Sequence, residues 1–344
     1  MKFFYTPIIM FFFPLSIIIQ AQNLPKFSGL MFGDYFYNLR HHSSSEEGMN
    51  AFQFRRIFVT ADYLISEKFN SRFRIEADNI SNANSKNNKM NVWVKDAYLE
   101  WIDIFNGSNL FIGVSPTPAF EVSTNIWSNR FIEKTILDYN SIVSSRDMGI
   151  DLKGNLMDNG KIKYWIKIGN NANSGPESNK QKRFYGLLEF YPSKNLIFTT
   201  YGDFTTISSV YDNVSMTNKN TNSYVLALFC NFKCKNLSTG IESFLRNSKN
   251  AYRESELYEL TDFKTYGISL WAYYNLTNKF NLIGRYDYYD PNSQINNDDN
   301  ELIILAIDYK PNTRVHISPN VQIKTYKNEG KNDVIPRITF FWQF

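Results

Sequence analysis

Residues 314–324 alternate without a break: Val315, Ile317, Pro319, Val321 and Ile323 fall on one face, and Arg314, His316, Ser318, Asn320, Gln322 and Lys324 on the other. Successive side chains of a strand point to opposite faces, so this period of two specifies a strand with one apolar and one polar side. Eleven residues in this pattern are what a tilted strand of ~9–11 residues needs to cross a bilayer. The same pattern recurs where Phe73, Ile75 and Ala77 oppose Arg72, Arg74, Glu76 and Asp78. It recurs again where Ile162, Tyr164, Ile166 and Ile168 oppose Lys161, Lys163, Trp165 and Lys167, and where Met148, Ile150 and Leu152 oppose Asp147, Gly149, Asp151 and Lys153. Helical periodicity is almost absent.

About sixteen such runs can be counted by their alternation: residues 27–38, 51–64, 69–79, 91–103, 109–115, 146–156, 160–170, 181–191, 195–205, 222–232, 236–246, 263–275, 279–290, 301–310, 314–324 and 335–344. Their connections alternate in length. Short turns such as Ser66-Glu67-Lys68 and Pro311-Asn312-Thr313 interleave with longer polar segments such as 41–50, 81–90, 171–180 and 292–300. A closed outer-membrane barrel has an even strand number with short turns on one rim and long loops on the other, whereas a soluble sandwich has no reason to segregate them. The expectation is therefore an all-β fold: a closed antiparallel transmembrane β-barrel of about sixteen strands. Composition agrees, because aromatics reach 17%, with 22 Tyr and 29 Phe, and no segment after the first few dozen residues is apolar enough for a membrane helix. Trp93, Trp101, Trp342 and Phe344 are expected in lipid-facing aromatic girdles.

The start and end of the chain carry addresses. Lys2, an apolar run over 3–19 and the small residue Ala21 read as a signal peptide, residues 1–21, removed before Gln22. The barrel then occupies residues 22–344. At the other end Ile338, Phe340, Trp342 and Phe344 alternate with Arg337, Thr339, Phe341 and Gln343. An amphipathic last strand with a terminal Phe resembles the element recognised by the barrel assembly machinery of Gram-negative bacteria, which implies an outer-membrane location and contact with its lipid.

One connection, residues 115–146, is far longer than the others and carries Pro116, Pro118, Phe120, Glu121, Trp127, Arg130, Phe131, Glu133, Lys134 and Tyr139. So many apolar groups suit a loop folded into the lumen. Arg55-Arg56, the Asp96-Ala-Tyr-Leu-Glu-Trp101 segment and the 127–149 loop with Arg146-Asp147-x-Gly149 resemble the phosphate-selective porin O and P family, over nearly the whole chain after the signal. The resemblance implies a sixteen-stranded barrel, commonly a homotrimer, with the long inward loop as constriction.

On this reading Trp127, Arg130, Glu133, Lys134 and Arg146 form or brace the constriction, and Arg56, Arg74, Lys163 and Arg285 line the wall. The expected function is passive diffusion of small hydrophilic solutes, among them anions such as phosphate. Acidic and basic residues on the inferred inner faces nearly balance, so alternation alone specifies no anion site. Other readings are a non-conducting surface-binding barrel and a saccharide channel using Trp165, Trp271, Tyr273 and Tyr289. No catalytic residue, cofactor or metal site is expected. Only three His and two Cys occur, and His316-x-Ser318 with Asn320 is the sole arrangement resembling a hydrolase. Cys230 and Cys234 are too few for a disulfide framework, and either a pair or two free thiols fits. A net charge of +4 gives no reason to invoke nucleic acid.

Overall fold

A computed structural model describes residues 24–80, 89–157, 159–328 and 330–344; the expected signal peptide lies outside the described residues. The chain runs β1 (Lys26–Tyr37), β2 (Asn50–Ser66), β3 (Phe69–Asp78), β4 (Asn91–Phe105) and β5 (Ser108–Pro116). Two short helices follow, α1 (Glu121–Trp127) and α2 (Ile136–Tyr139). Then come β6 (Arg146–Asn155), β7 (Ile162–Gly169), β8 (Arg183–Ser193), β9 (Leu196–Thr205) and a small hairpin of β10 (Val210–Asp212) and β11 (Thr217–Lys219). The chain continues with β12 (Ser223–Cys234), β13 (Leu237–Tyr252), β14 (Thr261–Asn275), β15 (Phe280–Asp290), β16 (Asn300–Asn312), β17 (Val315–Tyr326) and β18 (Asp333–Gln343). Each strand pairs antiparallel with its neighbours, and β1 closes on β18, so sixteen strands form a closed barrel with the β10–β11 hairpin outside it. Closure leaves no unpaired edge, the condition for strands in hydrocarbon.

All sixteen expected runs correspond to barrel strands. The hairpin is the one addition, its strands too short to show alternation. Connections of two to six residues join β2–β3, β4–β5, β6–β7, β8–β9, β12–β13, β14–β15 and β16–β17 on one rim; those meeting at the other run from six residues, 327–332, to twenty-nine, 117–145.

The outer surface is a band of exposed apolar side chains, among them Ile150, Ile166, Leu226, Leu228, Leu305 and Ile338. A soluble protein does not tolerate so large an apolar surface, and a lipid-facing barrel requires it. Cys230 lies on an outward register of β12, four residues from Cys234 at its end; both are free thiols. Four residues of extended chain separate the two by ~13 Å, too far for a disulfide.

Most register shifts lie near strand ends, but two bulges fall within the strands and both matter for the lumen. Phe32 pairs with Arg56 but Gly33 pairs with Phe54, so Arg55 is the extra residue and Arg55 and Arg56 both turn inward. Gly33 permits this, because a Cβ there would stand 2.0 Å from the Gln53 carbonyl oxygen. Likewise Arg74 pairs with Asp96 but Ile75 with Val94, leaving Lys95 as the extra residue. The phase of β4 changes at that point, and Trp93 takes the register opposite inward-facing Glu76. The girdle expected at Trp93 is therefore corrected: the bulge turns it to the lumen side, while Trp101 stays outward.

The inner wall is not uniformly polar. Strand β16 presents Leu302, Ile304, Ala306 and Asp308 inward and Leu305 and Ile307 outward, so its long apolar run reflects two covered faces. Residues 117–145 fold into the barrel and cover that inner strip. One patch joins Ala119, Phe120, Ile136, Leu137, Ile142 and Val143 to Trp165, Tyr185, Leu187, Tyr201, Val225 and Phe244. The other joins Trp127, Phe131 and Ile132 to Phe229, Trp271, Ile283, Leu302 and Ile304.

This packing predicts that Ile304→Ala, which empties a fully buried contact, weakens loop docking by about 2–5 kcal/mol. Limited proteolysis of the folded barrel should then cut within 117–145, while Leu305→Ala, on the lipid face, leaves the loop as resistant as in the parent chain.

Candidate functional site in the lumen

The loop reaches its position through local devices. Helix α1 ends where Ser128 adopts a left-handed conformation (φ 54°), its N–H donating to the Thr124 carbonyl at 3.1 Å. The Trp127 indole N–H donates to the Glu133 carbonyl at 2.9 Å, and its ring packs on Trp271 with centroids 5.1 Å apart. At the root of the loop Lys167 is buried between Asp151 (3.1 Å) and the Ser115 hydroxyl (2.5 Å).

Polar contacts flanking the apolar patch tie the loop to the wall as well, to β1 and β2 on one side and to β15 and β17 on the other. Arg55 spans from Asp34 of β1 at 3.0 Å to Glu133 of the loop at 3.7 Å, and donates to the Phe131 and Ile132 carbonyls. Asp34 is shared with Arg337 at 3.1 Å. Gln322 donates to Glu133 at 3.1 Å, and Arg285, paired with Asp287 at 2.5 Å, donates to the Lys134 carbonyl. Burial alone would raise the Glu133 carboxyl; Arg55 and Arg337 outweigh that and hold it below the usual carboxylate range. Burial likewise acts to raise Asp138, and Arg130 and Lys134 more than compensate.

Beside the loop a cavity of about 420 Å³ remains, bounded by β1–β4 and the loop's polar side. Six cations line it: Arg56, Arg72, Arg74, Lys95, Arg130 and Arg146. Glu121 and Asp138 are the carboxylates on its lining. Three more stand behind the cations as partners. Glu76 pairs with Arg56 at 2.6 Å and Lys95 at 2.8 Å, Asp62 pairs with Arg72 at 2.7 Å, and Asp96 pairs with Arg74 at 3.0 Å and with Arg146. Glu76 and Asp96 are buried in the wall, so the guanidinium and ammonium groups stand between them and the cavity. Phe32 and Phe58 support this arrangement, with Arg56 5.7 Å and 4.5 Å from their ring centroids and Arg74 4.9 Å from Phe58.

The residues singled out in the sequence thus divide. Arg56, Arg74, Arg130 and Arg146 meet at the cavity. Trp127, Glu133 and Arg285 are buried between loop and wall, and Lys134 contributes its carbonyl to the same contact. Lys163 lies near the short-turn rim, 5.0 Å from the Tyr191 ring centroid. Arg55 and Lys95 escaped a strict inward–outward assignment because both sit in bulges. The adjacent pairs Arg55-Arg56 and Lys95-Asp96 were the available signal, since two neighbouring charges cannot both face the lumen in a regular strand.

Trp165 and Trp271 are buried under the loop and offer no open stacking track. His316 faces Asp308 at 3.0 Å and packs against Phe131 and Phe341, while the Ser318 hydroxyl donates to the Ile307 carbonyl. Asn320 donates to Thr339 and to the Ser318 carbonyl. The three side chains do not form a nucleophile–base relay, which needs the hydroxyl bonded to the imidazole.

Neither a family model nor a curated protein matches the sequence. Solved structures do match the fold. The outer membrane channel DcaP of Acinetobacter baumannii superposes with a TM-score of 0.67 at 10% identity, covering 94% of this chain and 98% of its own. The anion-selective porin from Comamonas acidovorans gives 0.66 at 11%, covering 93% and 99%. Outer-membrane expressed OmpT of Vibrio cholerae gives 0.64 at 13%, covering 93% and 97%. The fold is therefore that of the outer-membrane porins.

Two outcomes test the loop's ionic anchoring. Arg55→Ala leaves Glu133 without its nearest cation, a buried-pair loss of about 3–5 kcal/mol, and should speed hydrogen exchange of the 117–145 amides. Because Glu133 and Asp138 are depressed, their contribution is complete above the ordinary carboxylate pKa of ~4 and is lost as pH falls through their folded values. Proteolysis of the loop should accordingly be unchanged from neutral pH down to about 5 and rise under stronger acid.

Proposed function

We propose that this chain is an outer-membrane porin, a passive diffusion channel for small hydrophilic solutes that favours anions. The observation carrying the reading is the cavity beside the inward loop, where six cations face the space and most of their carboxylate partners stand behind them. Overall charge in the barrel is close to balanced, but a permeating ion responds to the groups nearest its path, since salt screens fields beyond about 8 Å. A ring of one sign at the narrowest point is how a pore selects by charge. The anion-selective character of the Comamonas acidovorans neighbour and the resemblance to the phosphate-selective family support the same direction.

In this account Arg56, Arg74, Arg130 and Arg146 contact the solute, with Arg72 and Lys95 extending the path. Trp127, Glu133, Lys134 and Arg285 hold the loop, and Lys163 attracts anions at the periplasmic mouth. Phosphate is a natural substrate for several guanidinium groups at once, because their paired N–H donors match its oxygens. Residues 1–21 serve as the removed signal, and the strand ending near Phe344 engages the assembly machinery. The protein works as a homotrimer in the outer membrane of a Gram-negative bacterium.

Planar-bilayer recordings across a potassium chloride gradient test this. Stepwise insertion with a reversal potential of anion-selective sign is expected, and Arg74→Ala combined with Arg130→Ala should move it toward zero. The effect should fade near 1 M salt, where the screening length is only ~3 Å. A folded, inserted barrel that never conducts would overturn the porin reading in favour of a plugged surface-binding barrel.

A further inference from the structure

We propose that the long-loop rim carries a site for a divalent transition metal of the zinc type, formed by His41, His42 and Asp333. The cluster lies at the seam where the first and last strands close the barrel. Connection 38–49 leaves β1, and Asp333 opens β18. A backbone bridge between Arg40 and Val334, with N–O distances of 3.3 and 2.9 Å, draws the connection across the seam. The His42 amide then donates to Asp333 Oδ1 at 2.7 Å, which brings both imidazoles against one carboxylate.

The geometry suits a shared ion. His42 Nδ1 is 2.9 Å from Asp333 Oδ1, His41 Nε2 is 4.0 Å from Asp333 Oδ2, and one ligand atom from each residue lies within 4.8 Å of the others. Zinc held at about 2.0–2.2 Å by nitrogen and oxygen sets tetrahedral ligand–ligand separations near 3.3 Å, so small side-chain adjustments complete the site. The two rings are stacked with centroids 4.4 Å apart, and rotation about their side-chain bonds would turn both lone pairs onto one ion.

The surrounding contacts are those that orient metal ligands. His41 Nδ1 accepts from the Ser43 N–H at 3.1 Å and lies 3.2 Å from the Ser43 carbonyl; coordination through Nε2 would shift the ring proton to Nδ1, where that carbonyl can accept it. The Tyr326 hydroxyl donates to Asp333 Oδ2 at 2.7 Å and fixes the carboxylate, and its ring packs on His42 at 4.8 Å. The neighbouring Lys324 ammonium is directed over the Tyr326 ring, 5.0 Å from its centroid.

Two imidazoles and one carboxylate, leaving a position for water, match zinc and its neighbours in the transition series. Magnesium and calcium require oxygen ligands throughout. The side chains are 15%, 33% and 7% exposed, open enough for an ion to enter from the long-loop side yet partly desolvated. None of the three lines the cavity, so the site is independent of the proposed conduction path. Bound metal would fasten the first external connection to the last strand.

Calorimetric titration of metal-stripped, detergent-folded barrel with zinc chloride tests this directly. One saturable equivalent per chain is expected, undiminished by excess magnesium. It should be lost in the double variant His41→Ala/His42→Ala and weakened about tenfold or more in Tyr326→Phe, the penalty usual for losing an orienting partner. Zinc should also raise the thermal unfolding temperature of the parent chain and not that of the double variant. Absence of one-to-one binding, or equal binding by a correctly folded double variant, would leave the cluster a hydrogen-bonded latch and overturn the metal site.

Discussion

Leu302, Ile304, Ile283, Val225 and Trp271 form an apolar strip on the inside of a barrel whose lumen is otherwise polar, and such a strip exposed to water costs free energy in proportion to its area. Residues 117–145 cover it, and the placement of almost every other lumenal group depends on that contact. With the loop held on the β7–β9 and β12–β16 side, open space is left along β1–β4. The asymmetry of the lumen thus follows from which strands carry apolar residues on their inner registers. A loop of the same length over a uniformly polar wall would have nothing to hold it there.

Charge completes what apolar packing begins. The loop's polar groups meet the wall beside the apolar strip, Glu133 with Arg55 of β2 and Gln322 of β17 and the Lys134 carbonyl with Arg285 of β15, and these buried contacts set its register more than its strength, since desolvation offsets much of their attraction. The cations of β2–β4 are left facing the cavity because their carboxylates sit deeper in the wall. The bulges at Arg55 and Lys95 do the rearranging: each adds an inward side chain where a regular strand would send it to lipid. Gly33 belongs to the same device, as the residue small enough to lie beside the first bulge.

Alternation made the barrel legible because a lipid face and a wet face impose opposite chemistry on successive residues. All sixteen strands could be placed, and the loop's inward course followed from aromatics such as Trp127 and Phe131 that no solvated loop needs. Facing was lost where a bulge changed the phase, as at Trp93 and Arg55, because pairing across strands is not written in either strand alone. The inner face of β16 was equally hidden: a run of apolar residues cannot say which side is covered by lipid and which by a loop. The gathering of Arg56, Arg74, Arg130 and Arg146 around one cavity depends on contacts between residues far apart in the chain. The His41–His42–Asp333 cluster joins opposite ends of the chain across the closing seam, which is why the adjacent histidines looked like part of an ordinary polar loop.

The central claim is that the open path runs between the loop's polar edge and β1–β4, and that the other side of the loop is sealed. Single-channel recording with cysteine modification tests it most directly, on a Cys230→Ser/Cys234→Ser background. Ser128→Cys lies on the cavity lining, and Ala306→Cys lies beneath the loop. A negatively charged thiol reagent should reduce the current through Ser128→Cys channels in discrete steps and leave Ala306→Cys channels unchanged. The reverse pattern, or equal block of both, would contradict the account.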